Sequence, residues 1–199
     1  MKIWIFLTCF LTACAVSWAQ TAPMQMPSRV TWVEDFSHRS ARGEVTRSCG
    51  VHSKEGDQWR SEVATDAADI SIAICKGGKV TATGNATAEM KAGPGGRLKE
   101  IYEAITGRAK FEIVDIMGGV GYSRYREVRA GSWTRIIWMD RATGFPRRIS
   151  TTFADGATRE EYFRIIEVDI STRRRLFDAN TLYPFFAHYL DEWHARLKR

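Results

Sequence analysis

Long apolar runs are scarce in this chain. Beyond Val16 none approaches the roughly 18 residues that a bilayer-spanning helix needs. Catalytic signatures are equally scarce: there is no GxSxG, HExxH, CxxC or phosphate-binding Gly-Lys-Ser/Thr motif. The clusters Gly93-Pro94-Gly95-Gly96 and Gly118-Gly119-Val120-Gly121 lack the spacing of a dinucleotide loop and read as a linker and a strand bend. Histidine amounts to four residues. His38 and His52 stand alone. His188 and His194 lie about 120° apart round a predicted helix, so they form no two-histidine metal face. His188 and Glu192 do share a face, but two ligands alone make a poor site. Glu160-Glu161 reads as a solvated pair rather than an acid and a base, and Asn85-Ala86-Thr87 is a sequon of a kind that arises often by chance. Neither a cofactor, a metal nor an enzyme activity is expected.

What is present is a globular composition. The 199 residues are 44% hydrophobic, 12% aromatic and 26% charged, which excludes a disordered or collagen-like chain. Lys2 precedes an apolar run from Ile3 to Val16, and Ser17-Trp18-Ala19 places small residues where a signal peptidase reads, predicting residues 1–19 as a signal removed after Ala19. Leu11-Thr12-Ala13-Cys14 also fits the pattern at which bacterial lipoproteins are cleaved and acylated on cysteine. The protein is thus read as periplasmic or secreted, with a membrane-anchored lipoprotein through Cys14 as the alternative. Residues 20–42 read as a leader and N-terminal segment.

Outside the signal only Cys49 and Cys75 remain, and an even pair in an exported chain suggests a disulfide. Such a bridge, closing about 25 residues, would contribute ~3 kcal/mol by chain entropy. Spacing argues partly against it, because the outer strands of a three-strand meander lie about 9.5 Å apart, beyond the ~7 Å limit for Cα atoms of a disulfide. Either the pair sits at strand ends where the sheet curls, or both are free buried thiols.

Short alternating segments separated by turn residues predict strands near 44–52, 57–65, 69–76 and 80–82, then 111–117, 121–128, 134–139, 147–153 and 161–170, a spacing typical of all-β domains. Ile70, Ile72 and Ile74 point one way. Around Tyr162-Phe163-Arg164-Ile165-Ile166 apolar residues appear on both faces, predicting a strand covered on both sides. Leu98, Ile101, Tyr102 and Ile105 follow helical spacing between Pro94 and Gly107. After Pro184, Phe186, Tyr189, Leu190, Trp193 and Leu197 form an aromatic-rich helical stripe ending in basic residues.

Trp138-Met139-Asp140-Arg141-Ala142-Thr143-Gly144-Phe145-Pro146-Arg147-Arg148-Ile149 reads as a strand, a tight Gly turn and a second strand entered through Pro. With Arg175-Leu176-Phe177-Asp178 after Ile166-Glu167-Val168-Asp169-Ile170, it resembles exported proteins related to the lipoprotein carrier LolA and its LolB-like and RseB-like relatives. The resemblance covers residues 43–183 and excludes 20–41 and the tail 184–199. It implies a mainly β (α+β) fold: a single strongly curved antiparallel sheet or half-open barrel with a helix in its mouth, here joined by a C-terminal helix. It also implies an apolar concave face that binds acyl chains or other lipophilic ligands. Leu98, Ile101, Tyr102 and Ile105 would then form the lid, and Trp59, Ile72, Ile74, Trp138, Phe153, Tyr162 and Ile166 are candidates for the lining, each also explicable as ordinary core.

Charge is uneven. Residues 20–123 hold 13 basic and 13 acidic side chains, whereas residues 124–199 hold 15 basic and 10 acidic. Such runs usually make solvated faces, but they also suit an anionic membrane surface or an acidic envelope protein. No recognition motif accompanies them, so nucleic acid is not an expected partner. Two functions follow. One is a non-enzymatic envelope protein that binds a lipophilic ligand, either an acyl chain, a lipid or a lipid-modified protein. The other is an envelope interaction or sensor module acting through the basic C-terminal part.

Overall fold

The computed structural model describes residues 25–67 and 69–198. The predicted signal, its cleavage site and Cys14 lie outside the described residues. Ten strands form one antiparallel sheet: β1 (Arg29–Arg39), β2 (Val45–Glu55), β3 (Gln58–Thr65), β4 (Ile70–Lys76), β5 (Lys79–Thr83), β6 (Lys110–Met117), β7 (Val120–Arg129), β8 (Trp133–Asp140), β9 (Pro146–Phe153) and β10 (Thr158–Ile165). Their spatial order is β5-β4-β3-β2-β1-β10-β9-β8-β7-β6, so two meanders meet where β1 pairs with β10 and the sheet does not close. Tight turns build both meanders. At the β6–β7 tip, Gly118 and Gly119 both adopt positive φ (58° and 80°), as a two-residue hairpin loop matched to strand twist requires.

Topology dictates where the helices lie. β5 is one edge of the sheet and β6 the other, so residues 84–109 must cross a whole face to connect them. They do so as α1 (Ala88–Ala92), α2 (Pro94–Glu103) and a π turn (Ala104–Arg108). Leu98, Ile101, Tyr102 and Ile105 are all buried there against Val30, Trp32, Ile137, Met139, Phe145, Ile149 and Phe163. This face is termed inner. After β10, α3 (Ile170–Leu176) and α4 (Ala187–Leu197) pack on the outer face, where Leu176, Phe177, Phe186, Leu190 and Trp193 meet Val33, Cys49, Val51, Ala64 and Ile166.

Four expectations change. The last strand ends at Ile165 rather than 170, since Ile170 opens α3. It is β1, not β10, that is sandwiched on both faces, with Trp32 in the inner core and Val33 in the outer one. Tyr162 and Ile165 of β10 are 48% and 41% exposed. That central strand β1 lies within residues 20–42, a segment read from sequence as separate from the sheet. Lastly, Cys49 and Cys75 are free and buried. Cys49 opposes Ala64 in the outer core, whereas Cys75 opposes Trp59 in an inner cluster, so the two thiols lie on opposite faces with β3 between them and cannot bond.

Candidate functional site

Between α1–α2 and the inner surface of β1, β2, β3 and β10 lies a cavity of about 510 Å³. Its apolar walls are Trp32, Phe36, Val63, Met90, Leu98 and Phe163, and Glu34, His52, Ser61, Arg97, Arg159 and Glu161 add polar groups. Two glycines make room for it. Gly93, at φ +86°, lets the α1–α2 junction lie on Trp59, whose indole a Cβ there would meet at 2.5 Å; at Gly50 a Cβ would collide with the His52 ring.

A chain of six charges latches α2 over the cavity. Arg97 donates to both carboxylate oxygens of Glu161 on β10 (2.6 and 2.7 Å) and to Glu100 (2.8 Å). Arg135 on β8 donates to Glu100 (2.8 Å) and to Glu127 on β7, which also accepts from Arg108 of the π turn (2.8 Å). Burial alone would raise the Glu100 and Glu127 carboxyls, but the arginines outweigh it and hold both below the usual range. For Arg97 burial likewise works against the charge, and Glu161 and Glu100 more than offset it, keeping the guanidinium protonated. Three cations and three anions thereby neutralise one another at the lid.

Tyr102 adds a fourth tie, its hydroxyl donating to the Gly144 carbonyl at 2.7 Å; burial pushes that phenol up to about 12. This gives the Asp140–Pro146 turn a physical role. Asp140 Oδ1 accepts from the Ala142 and Thr143 N–H groups (2.8 and 3.1 Å), the turn presents Gly144 to Tyr102, and Phe145 enters the inner core beneath α2.

His52 lies on the cavity floor. Its Nδ1 shares a 3.0 Å hydrogen bond with Ser61 Oγ, and its Nε2 is 3.6 Å from Glu34. Burial lowers its pKa to about 4, so the ring is neutral at ordinary pH. A serine nucleophile needs its base through the nitrogen opposite the one held by the acid at hydrogen-bond distance. Here the acid is at 3.6 Å, and His52 and Ser61 are direct cross-strand partners, so the arrangement satisfies buried polar groups. At two cavity-lining residues a buried donor has no partner in the structure, namely Trp32 Nε1 and Arg159 Nε. Arg159 stacks on Phe36 and Phe153 (5.2 and 5.9 Å) and reaches Glu161 only at 4.0 Å.

Of the side chains expected to line a binding surface, few share a place. Trp59 is on the inner face, packed against Ala73, Cys75 and Met90 beside the cavity. Phe153 is there too, under Arg159. Ile72 and Ile74 are buried on the outer side, in register with Glu62 and Arg60. Trp138 and Tyr162 flank Arg148 on the outer face (4.8 and 5.4 Å), and Ile166 belongs to the outer core. Of the four predicted lid residues, Leu98 reaches the cavity. Sequence reading missed Trp32, Phe36, Val63 and Phe163; the alternation Val30, Trp32, Glu34, Phe36 was the available signal.

Sequence reading also missed a buried ion pair on the outer face. Arg60 and Glu62 are fully buried and joined at 2.6 Å. Arg60 donates to the carbonyls of Leu176, Thr181 and Tyr183, while Glu62 accepts from the N–H groups of Phe185 (2.8 Å) and Phe186 (3.0 Å). Two charges on one strand thus tie down residues 176–186.

No protein-family model and no curated protein match the chain. Among solved structures it is similar to MucB in the Pseudomonas aeruginosa MucA/MucB complex, at 11% identity and a TM-score of 0.44, over 72% of this chain and 54% of that one. A LolA superfamily protein from Nitrosomonas europaea aligns at 7% identity and a TM-score of 0.31 over 77% of this chain and 92% of its own. An outer membrane lipoprotein-sorting protein domain from Vibrio parahaemolyticus aligns at 11% identity and 0.32 over 80% and 93%. The chain spans about half the length of the MucB chain. The fold is defined by the chain's own open antiparallel sheet and the helix across its inner face.

Proposed function

We propose that this is an exported, non-enzymatic envelope protein that holds a lipophilic ligand in the inner-face cavity beneath α2. The ligand class is an acyl chain, a lipid or a lipid-modified polypeptide. The observation that carries the reading is a 510 Å³ cavity with aromatic and aliphatic walls, within the ~300–1,000 Å³ range of ligand pockets, under a helix held by side-chain contacts. Export rests on the Lys2 to Ala19 pattern in the sequence.

Titration with a fluorescent fatty-acyl probe tests the reading. Saturable binding is expected, weakened at least tenfold by Val63→Asp, which puts a charge into the cavity wall. Absence of saturable binding, or binding indifferent to that change in a protein that still folds, would overturn it. The rival reading, an envelope interaction or sensor module acting through the basic C-terminal part, would have to use a surface other than the apolar face of the C-terminal helix, since Leu190 and Trp193 are buried against the protein's own sheet.

A further inference from the structure

The β6–β7 hairpin exposes more large apolar side chains than any other element described. Phe111, Ile113, Val114, Ile116, Met117 and Val120 are 53%, 48%, 39%, 75%, 43% and 40% exposed. β6 is an outermost strand. Strand alternation distributes these residues over both sides of the sheet. Asp115 bonds Trp138 Nε1 (3.0 Å) and pairs with Arg124 (3.4 Å) on the outer side, which places Val114 and Ile116 on the inner side and Met117 and Val120 on the outer.

That two-sidedness selects the partner. A hairpin that is wet on one face alternates apolar with polar residues, and a protein groove laid on one face would leave the other exposed. A bilayer surrounds a tip on both sides. The sequence at the tip, Ile116-Met117-Gly118-Gly119-Val120, carries no charge, and the Asp115–Arg124 pair closes it off at the base. Arg141, exposed and lying against Gly121, stands where lipid phosphates would be. From Gly121 to the turn is about 7 Å of strand, matching the ~5–10 Å depth of interfacial insertion.

We propose that the β6–β7 tip is a membrane-docking element that inserts Ile116, Met117 and Val120 shallowly into a bilayer containing anionic lipid, with Arg141 at the phosphates. This surface is separate from the cavity, so the proposal does not depend on what the cavity binds.

Co-sedimentation of the mature protein with vesicles of phosphatidylcholine and phosphatidylglycerol is the test. Binding is expected, with Ile116→Asp weakening it at least tenfold and Arg141→Gln reducing its dependence on phosphatidylglycerol. Because these side chains are exposed, the melting temperature should not fall, which separates a lost surface from a lost fold. Failure of the wild-type protein to sediment with vesicles would overturn the proposal. So would binding unchanged by Ile116→Asp, or self-association of the wild-type protein that the same substitution abolishes, which would make the tip a contact between copies.

Discussion

Glu62 shows how much one side chain can carry. Its carboxylate neutralises Arg60 and accepts two backbone N–H groups 123 and 124 residues away in sequence. Glu62→Ala would leave a buried guanidinium unpaired and two amides unsatisfied, so unfolding in urea is expected to show a loss of ~3–5 kcal/mol. The double variant Arg60→Met/Glu62→Leu should recover only part of it, because the loop groups remain unpaired. His52 makes a different prediction, about pH. Its folded pKa of about 4 lies below the ordinary value of 6.5, because burial opposes the charge. The unfolded chain therefore binds the extra proton first. The contribution is fully present above pH 6.5 and is lost as pH falls toward 4, amounting to roughly 3 kcal/mol. Melting temperatures compared at pH 7.5 and 4.5 should fall more for the wild-type protein than for His52→Gln; equal falls would reject this account.

At the scale of elements, α4 was visible as a stripe, and the structure decides what it covers. An isolated helix of 11 residues is marginal in water, so it needs the outer core to hold it. Deleting residues 184–199 uncovers Val33, Cys49 and Val51 and removes Phe186, Leu190 and Trp193; a loss of several kcal/mol, or failure to fold, is expected from circular-dichroism melts. An unchanged melt would refute docking and restore the partner-module reading. The strands carrying the cysteines give a chemical counterpart. Burial first, and then Asp35, push the Cys49 thiol well above its ordinary value, so it is unreactive while folded. In the mature protein cleaved after Ala19, a thiol reagent should find almost nothing in the native state and two equivalents in denaturant, with no prior reduction. One labelled equivalent or none after unfolding would indicate a modification or a bond that the fold described here does not contain.

For the whole molecule, hairpin boundaries were legible because they depend on neighbours in sequence: turn glycines, alternation and capping are local. The helix over residues 98–105 was legible for the same reason, and its burial followed from having an apolar face. Which face of the sheet each strand residue joined was not legible. Ile72 and Trp59 look alike as alternating apolar residues, yet one is buried with the outer face and the other beside the cavity, because β3 and β4 are both covered from two sides. The same double covering hid Arg60 and Glu62, which no local pattern marks as buried and which residues 176–186 fold over.

By itself the sequence determined the antiparallel meanders, the amphipathic helices and the turn at Thr143-Gly144-Phe145-Pro146, since each follows from backbone geometry and short-range patterning. Only the tertiary structure decided that β1 is the central strand, that Cys49 and Cys75 lie on opposite faces, and that the cavity is walled by Trp32, Phe36, Val63 and Phe163. The central place of β1, and the meeting of Trp32 and Phe36 with Phe163, depend on β1 pairing with β10 more than a hundred residues away, and no local pattern records which distant strand supplies the partner; the faces of the two thiols depend on the register of β2, β3 and β4.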